Sequence, residues 1–170
     1  MPSRDEVVDL LNSRPHAIPA LPDTLDDPEI AAEILGRFGE PAGGAGREQQ
    51  LDRVRVLRAD LSGVLEARGP DDAERAWASF TAHTADALFR QTFPDAGLQQ
   101  VAGDPVVGGI ARAVADLVQT NTWSRLRVCD NGHCSRVFYD ATRSRTQRWH
   151  SYEMCGNRAN VAAYRARSKS

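Results

Sequence analysis

The sequence predicts a mainly α-helical protein: an N-terminal helical body with room for one β-hairpin, followed by a small cysteine- and histidine-bearing C-terminal module. Three observations predict it. Five stretches within the first 122 residues carry apolar residues at helical spacing, most of them bounded by Asp, Pro or Gly. All three cysteines lie between residues 129 and 155. The charge also changes sign along the chain. Residues 1–122 carry 11 Lys/Arg against 20 Asp/Glu, net −9, and residues 123–170 carry 10 against 3, net +7. The predicted division is therefore 1–122 and 123–170.

The first element is "RDEVVDLLNSRP", with apolar residues at 7, 8, 10 and 11 and a stop at Pro15. Asp9, Asn12 and Arg14 read as its polar surface. "HAIPALPDTL" holds two prolines and reads as an irregular connection. "DDPEIAAEILGRFG" predicts a helix capped by Asp27, with Pro28 in its first turn and Gly39 at its end. "PAGGAG" is a link. Leu51, Val54, Leu57, Leu61, Val64 and Leu65 then mark a long amphipathic helix ending at Gly69.

"PDDAERAWASFTAHTA" begins with acids suited to a helix N-terminus. Leu88–Phe93 and Leu98–Val101 flank a Pro94–Gly97 turn and predict a hairpin. Asp104 caps a last body helix, "PVVGGIARAVADLVQT", which Gly108 and Gly109 weaken by about 1 kcal/mol each relative to Ala. Nothing in the body forms a catalytic constellation.

Composition narrows the class. Hydrophobic residues make up 41% and charged residues 26%, as in a globular protein. No apolar run reaches the length of a membrane span, and the charged start "MPSRDEVVDLL" is unlike a signal peptide. The expected compartment is the cytoplasm, where clustered cysteines point to metal or catalysis rather than disulfides.

The C-terminal module reads C-x4-C-x15-H-x4-C over Cys129, Cys134, His150 and Cys155. Two short chelating pairs joined by a loop are the usual layout of a structural zinc site, here of zinc-ribbon or treble-clef-like type. Each short loop brings two donors together at low entropy cost. Gly132 is expected to let the first loop turn through positive φ, and Gly156 to relieve crowding behind Cys155. His133 competes with His150 as fourth ligand, but adjacent residues rarely reach one ion together. Four protein donors close the shell, so no enzymatic activity is expected. A zinc hydrolase is the alternative if His150 does not bind.

"CGNR" at 155–158, with "RSRTQRWHSYEM" and "VFYDATRS" before it and "VAAYRAR" after, resembles the CGNR zinc finger of a bacterial family. The "DEVVDLLNSRP" start resembles the opening of that finger's partner, the helical ABATE domain. The resemblance implies a stress-induced transcription regulator whose finger binds nucleic acid, DNA ahead of RNA. In that family the third ligand is usually a cysteine directly after the tryptophan. Here Trp149 precedes His150, giving Cys3His, one unit less negative.

Arg143, Arg145, Arg148, Arg158, Arg165 and Arg167 are the expected phosphate contacts. Residues 158 and 165 would share one helix strip, Val161 and Tyr164 would pack inward on Phe138 or Trp149, and Asn157 would cap the helix or touch a base. The competing reading is an interaction or ligand-sensing module, with a protein or small-molecule effector on the helical body and purely structural zinc. A homodimer is compatible with a regulator, though no heptad or exposed strand argues for one.

Overall fold

The computed structural model describes residues 3–17, 20–93, 97–158 and 160–161. Helix α1 (Arg4–Asn12) starts where the Glu6 carboxylate folds back onto the Ser3 amide, and it buries Val7, Leu10 and Leu11. The proline-bearing stretch after it is more regular than expected. β1 (His16–Ala17) pairs antiparallel with β2 (Ala20–Leu21), and Pro22 falls outside the ladder, where its missing N–H is not needed. A 3₁₀ turn at Thr24–Asp26 follows, capped by Asp23.

In α2 (Pro28–Gly36) the Asp27 carboxylate accepts from the amides of Glu29 and Ile30, as the sequence predicted. The helix stops at Gly36, not Gly39. Gly39 instead serves a close approach. A Cβ there would lie 2.6 Å from the Pro105 backbone, so glycine lets this chain cross the start of the last body helix.

α3 (Gly46–Glu66) buries Leu51, Val54, Leu57 and Leu61, with Val64 and Leu65 half-buried. It ends before Gly69 because Gly69 belongs to the next element. That residue is the extended cap of α4 (Pro70–His83), with Pro70 at the first helical position. α4 lies along α3, close enough that a Cβ on Gly63 would be 3.4 Å from Ala76.

β3 (Leu88–Gln91) and β4 (Leu98–Ala102) form the predicted antiparallel hairpin, with a bulge at Leu88/Phe89. Residues 94–96 of its turn lie outside the described residues. Most of its side chains are exposed, so the chain does carry an exposed strand pair that the sequence reading missed.

α5 (Pro105–Gln119), capped by Asp104, runs through the core and buries Val106, Val107, Ile110, Ala113, Val114 and Leu117. A 3₁₀ turn at Trp123–Arg125 sets the Trp123 ring 5.1 Å from Trp77 on α4. It leads into β5 (Leu126–Val128), which pairs antiparallel with β6 (Val137–Tyr139). Leu126 and Val137 of this hairpin enter the same apolar cluster as α1, α3 and α5. The C-terminal module is thus packed onto the body. Cys129, Cys134, Phe138 and Cys155, with Trp149, form a second cluster. Among the described residues no helix is long and apolar enough to cross a membrane.

Candidate metal centre

The first half of the centre is a tight turn between β5 and β6. The Cys129 amide donates to the Arg136 carbonyl at 2.8 Å, and the Cys134 amide to the Asn131 carbonyl at 2.8 Å. Its left-handed residue is Ser135, with φ 51°, and not Gly132, where a Cβ would meet only open space. The predicted reason for Gly132 is therefore wrong.

The second half is a helical turn of wide pitch, Tyr152–Gly156, which buries Cys155. Ser151 caps it, its hydroxyl accepting from the Met154 amide at 3.2 Å. Asn157 does not cap the start of this turn: it follows the turn's last residue, in helical conformation with φ −60° and ψ −42°, its amide donating to the Tyr152 carbonyl. Gly156 is needed for space, as expected, since a Cβ there would come within 2.7 Å of the Tyr152 ring and 3.1 Å of Trp149. The Asp130 amide donates to the Arg148 carbonyl at 2.8 Å and ties the two halves together.

These loops bring Cys129, Cys134, His150 and Cys155 together, with their donor atoms all within 4.8 Å of one another. His150 Nδ1 lies 3.4 Å from the Cys134 Sγ and 3.7 Å from the Cys155 Sγ. A tetrahedral zinc ion with ordinary bond lengths sets sulfur–nitrogen edges of about 3.6 Å and sulfur–sulfur edges of about 3.8 Å. The donor set therefore fits such an ion. His133 is exposed and is not among these donors; its amide donates to the Asn131 side chain.

The electrostatics ask for a cation. Burial, with the neighbouring Cys155 and Cys129 thiols, pushes the Cys134 thiol up to about 12, against the pull of the Arg136 amide. Without a positive ion there, the Cys134 thiol stays protonated. His150 is held below its usual range by burial, then by Arg136 and His16, which keeps the imidazole in the neutral form that binds metal. The Arg136 Nε is buried without a partner among the described residues. Three thiolates, one imidazole and a divalent ion would leave a net negative centre for that guanidinium to face.

Residues of the body hold the module from behind, and the sequence reading took two of them, Asn12 and Arg14, for helix surface. The Asn12 side chain donates to the Val137 carbonyl and accepts from the Val137 amide, both at 2.8 Å, filling the place of a third strand. Arg14 donates to the Ser135 carbonyl at 2.5 Å. The buried His16 ring bridges the Asn12 carbonyl at 2.9 Å and the Cys134 carbonyl at 3.2 Å. The Arg4 guanidinium sits 4.2 Å from the Tyr139 ring centroid. Replacing Asn12 by alanine strands a part-buried N–H and C=O on Val137. The expected loss is about 2 kcal/mol in urea unfolding of the metal-loaded protein, and a loss under about 0.5 kcal/mol would refute this bridging role.

Asp140 was also missed. It is fully buried and organises the loop that leads to His150. Its carboxylate accepts from the Thr142 amide and hydroxyl and from the Gln147 amide, and pairs with Arg127 at 3.3 Å. Burial opposes its ionisation, but Thr142, Gln147 and Arg127 outweigh burial and hold the carboxyl below its ordinary range.

The predicted phosphate contacts separate into groups. Arg143, Arg145 and Arg158 are exposed. Arg148 is exposed too, but it pairs with Asp130 at 2.7 Å and lies 5.0 Å from the Trp149 ring centroid. Arg145 holds a left-handed φ of 53°, and its carbonyl accepts from Arg127 at 2.6 Å. Arg165, Arg167 and Tyr164 lie outside the described residues. Val161 does not pack inward as expected; it is 48% exposed, while Phe138 and Trp149 close around the cysteines instead.

Comparison with known proteins finds two family matches. Residues 125–168 match the family described as CGNR zinc finger. Residues 5–121 match ABATE, described as "Putative stress-induced transcription regulator". No curated protein matches the chain.

Proposed function

This chain belongs to the ABATE family and carries the CGNR zinc finger, and from that premise we propose that it is a transcription regulator whose finger binds nucleic acid through its arginines, around a zinc ion held by Cys129, Cys134, His150 and Cys155. The observation that carries the reading is the exposure of Arg143, Arg145 and Arg158 on a module whose sequence is net +7, beside a body of net −9. Zinc is the ion that three thiolates and one imidazole in a tetrahedral frame suit best. In this reading its role is structural, since four protein donors leave no open position for a reacting water.

The contacts are chiefly to phosphate, so binding is steeply salt-dependent. Six arginines on duplex DNA give a slope of log K against log salt of about −5. Arg148 contributes least, because Asp130 already neutralises it.

The test is titration of labelled duplex DNA and of single-stranded RNA at several salt concentrations. The variant with Arg143, Arg145 and Arg158 all replaced by alanine should bind more weakly, with the slope shallower by about 3 on duplex DNA. No binding at low salt, or an unchanged slope in this variant, would overturn the reading. Tighter binding to one of the two nucleic acids would decide between them.

A further inference from the structure

A cleft of about 340 Å³ opens between the end of α1 and the face of α3, lined by Arg14, Arg55, Arg58, Ala59, Ser62 and Glu66. Three guanidinium groups face one carboxylate in this lining. Two of them are engaged elsewhere. Arg58 is taken by Asp23 and the Ser13 hydroxyl, and Arg55 turns to Asp26 and Asp52. Arg14 differs. Among the described residues its one ion pair is with Glu66, at 2.8 Å, through a carboxylate that is half exposed.

Two donors at this cleft lack a partner among the described residues: the Arg14 Nε and the Ser62 hydroxyl. Ser62 is 7% exposed, so bulk water does not satisfy it. Buried donors left unpaired are destabilising, and folds rarely keep them without a use. Small residues at 59 and 63 leave the space open.

We infer that this cleft binds a small oxyanion, a carboxylate or a phosphate ester, on Arg14 with the Ser62 hydroxyl donating, and that Glu66 holds its place in the free protein. The planar fork of a guanidinium matches both oxyanions. Glu66 already sets a carboxylate on Arg14, so the geometry accepts one. Its exposure makes the internal pair weak, and a ligand displaces it at small cost. Glu66 is the one acid in the lining, so a cation gains little there. Arg14 also reaches the Ser135 carbonyl, next to Cys134, so occupancy is felt at the finger. The inference does not depend on the finger binding nucleic acid, and its test uses none.

The experiment is a titration of the full, zinc-loaded, ¹⁵N-labelled chain with inorganic phosphate and with succinate at constant ionic strength, with chloride as control. The readout is the amide signals of Ser62, Gly63, Ser135 and Arg136. Saturable shifts at both segments are expected with at least one probe, and the probe that saturates identifies the oxyanion. Glu66→Gln removes the internal competitor and should tighten binding by about threefold or more. Ser62→Ala removes a donor and should weaken it by about threefold or more. Shifts that stay chloride-like and unsaturated with both probes, in the wild type and in Glu66→Gln, would overturn the inference. So would an affinity that neither substitution changes.

Discussion

Stripping the metal from this protein is expected to unfold the loops that carry Cys129, Cys134, His150 and Cys155 and to lower the melting temperature of the whole molecule by 10 °C or more, on the order of 5 kcal/mol for a domain of this size. Structural zinc contributes far more than that in isolated finger peptides, about 10–16 kcal/mol. Here part of the hairpin survives through Leu126 and Val137, which belong to the body's core. The second cluster has no such apolar support: apart from Phe138 and Trp149 it consists of the three cysteines themselves. Once the ion leaves, a thiol pushed up to about 12 stays protonated and the four donors lose their reason to converge. Acid acts in the same direction, because protons compete with the ion for the thiolates.

The measurement is metal content together with calorimetry, with and without a strong chelator, on the wild type, His150→Ala and His133→Ala. One ion per chain, labile in His150→Ala and unaffected in His133→Ala, is the expected result. A chelated protein with an unchanged melting temperature would dispose of the structural role. A firmly held ion in His150→Ala would move the fourth ligand elsewhere.

The helices and the donor set were legible in the sequence for local reasons. Asp27 and Asp104 cap their own helices within three residues, and each chelating pair spans a single loop, so spacing carries the information. What was not legible depends on contacts between distant segments. Asn12 read as helix surface because its partner, Val137, is 125 residues away. Arg14 and His16 were hidden in the same way, by partners near residue 135, although the stretch "DEVVDLLNSRP" that carried the family resemblance contains Asn12 and Arg14, two of the residues that clamp the finger. Ser135 took left-handed φ where Gly132 was expected to, because the turn's geometry is fixed by pairing around it rather than by the most permissive residue in it. Gly39 and Gly69 read as helix ends, yet one marks a crossing and the other a beginning. Composition alone cannot tell these uses apart.

Gly109 shows the same limit and yields the second large effect. By helix propensity alone, alanine should stabilise α5 by about 1 kcal/mol at either Gly108 or Gly109. The neighbours differ. A Cβ on Gly109 would lie 1.8 Å from the Phe38 carbonyl oxygen and 2.5 Å from its carbon, atoms of a backbone fixed between α2 and the crossing at Gly39. Relieving that overlap means pushing the end of α2 off the core, where Leu35 and Phe38 are buried. Overpacking of this kind costs about 1–3 kcal/mol and at times more, so it outweighs the propensity gain. A Cβ on Gly108 would instead meet the end of the Gln100 side chain at 2.1 Å, and Gln100 can swing away, losing its bonds to the Ala102 and Asp104 carbonyls. Gly109→Ala is therefore expected to lower stability by about 2–3 kcal/mol and the melting temperature by about 5–10 °C, while Gly108→Ala stays within about 1 kcal/mol of the wild type. Thermal unfolding of the two zinc-loaded variants side by side decides it, and equal stability of the pair would mean that the closeness of α5 to Phe38 does not constrain position 109.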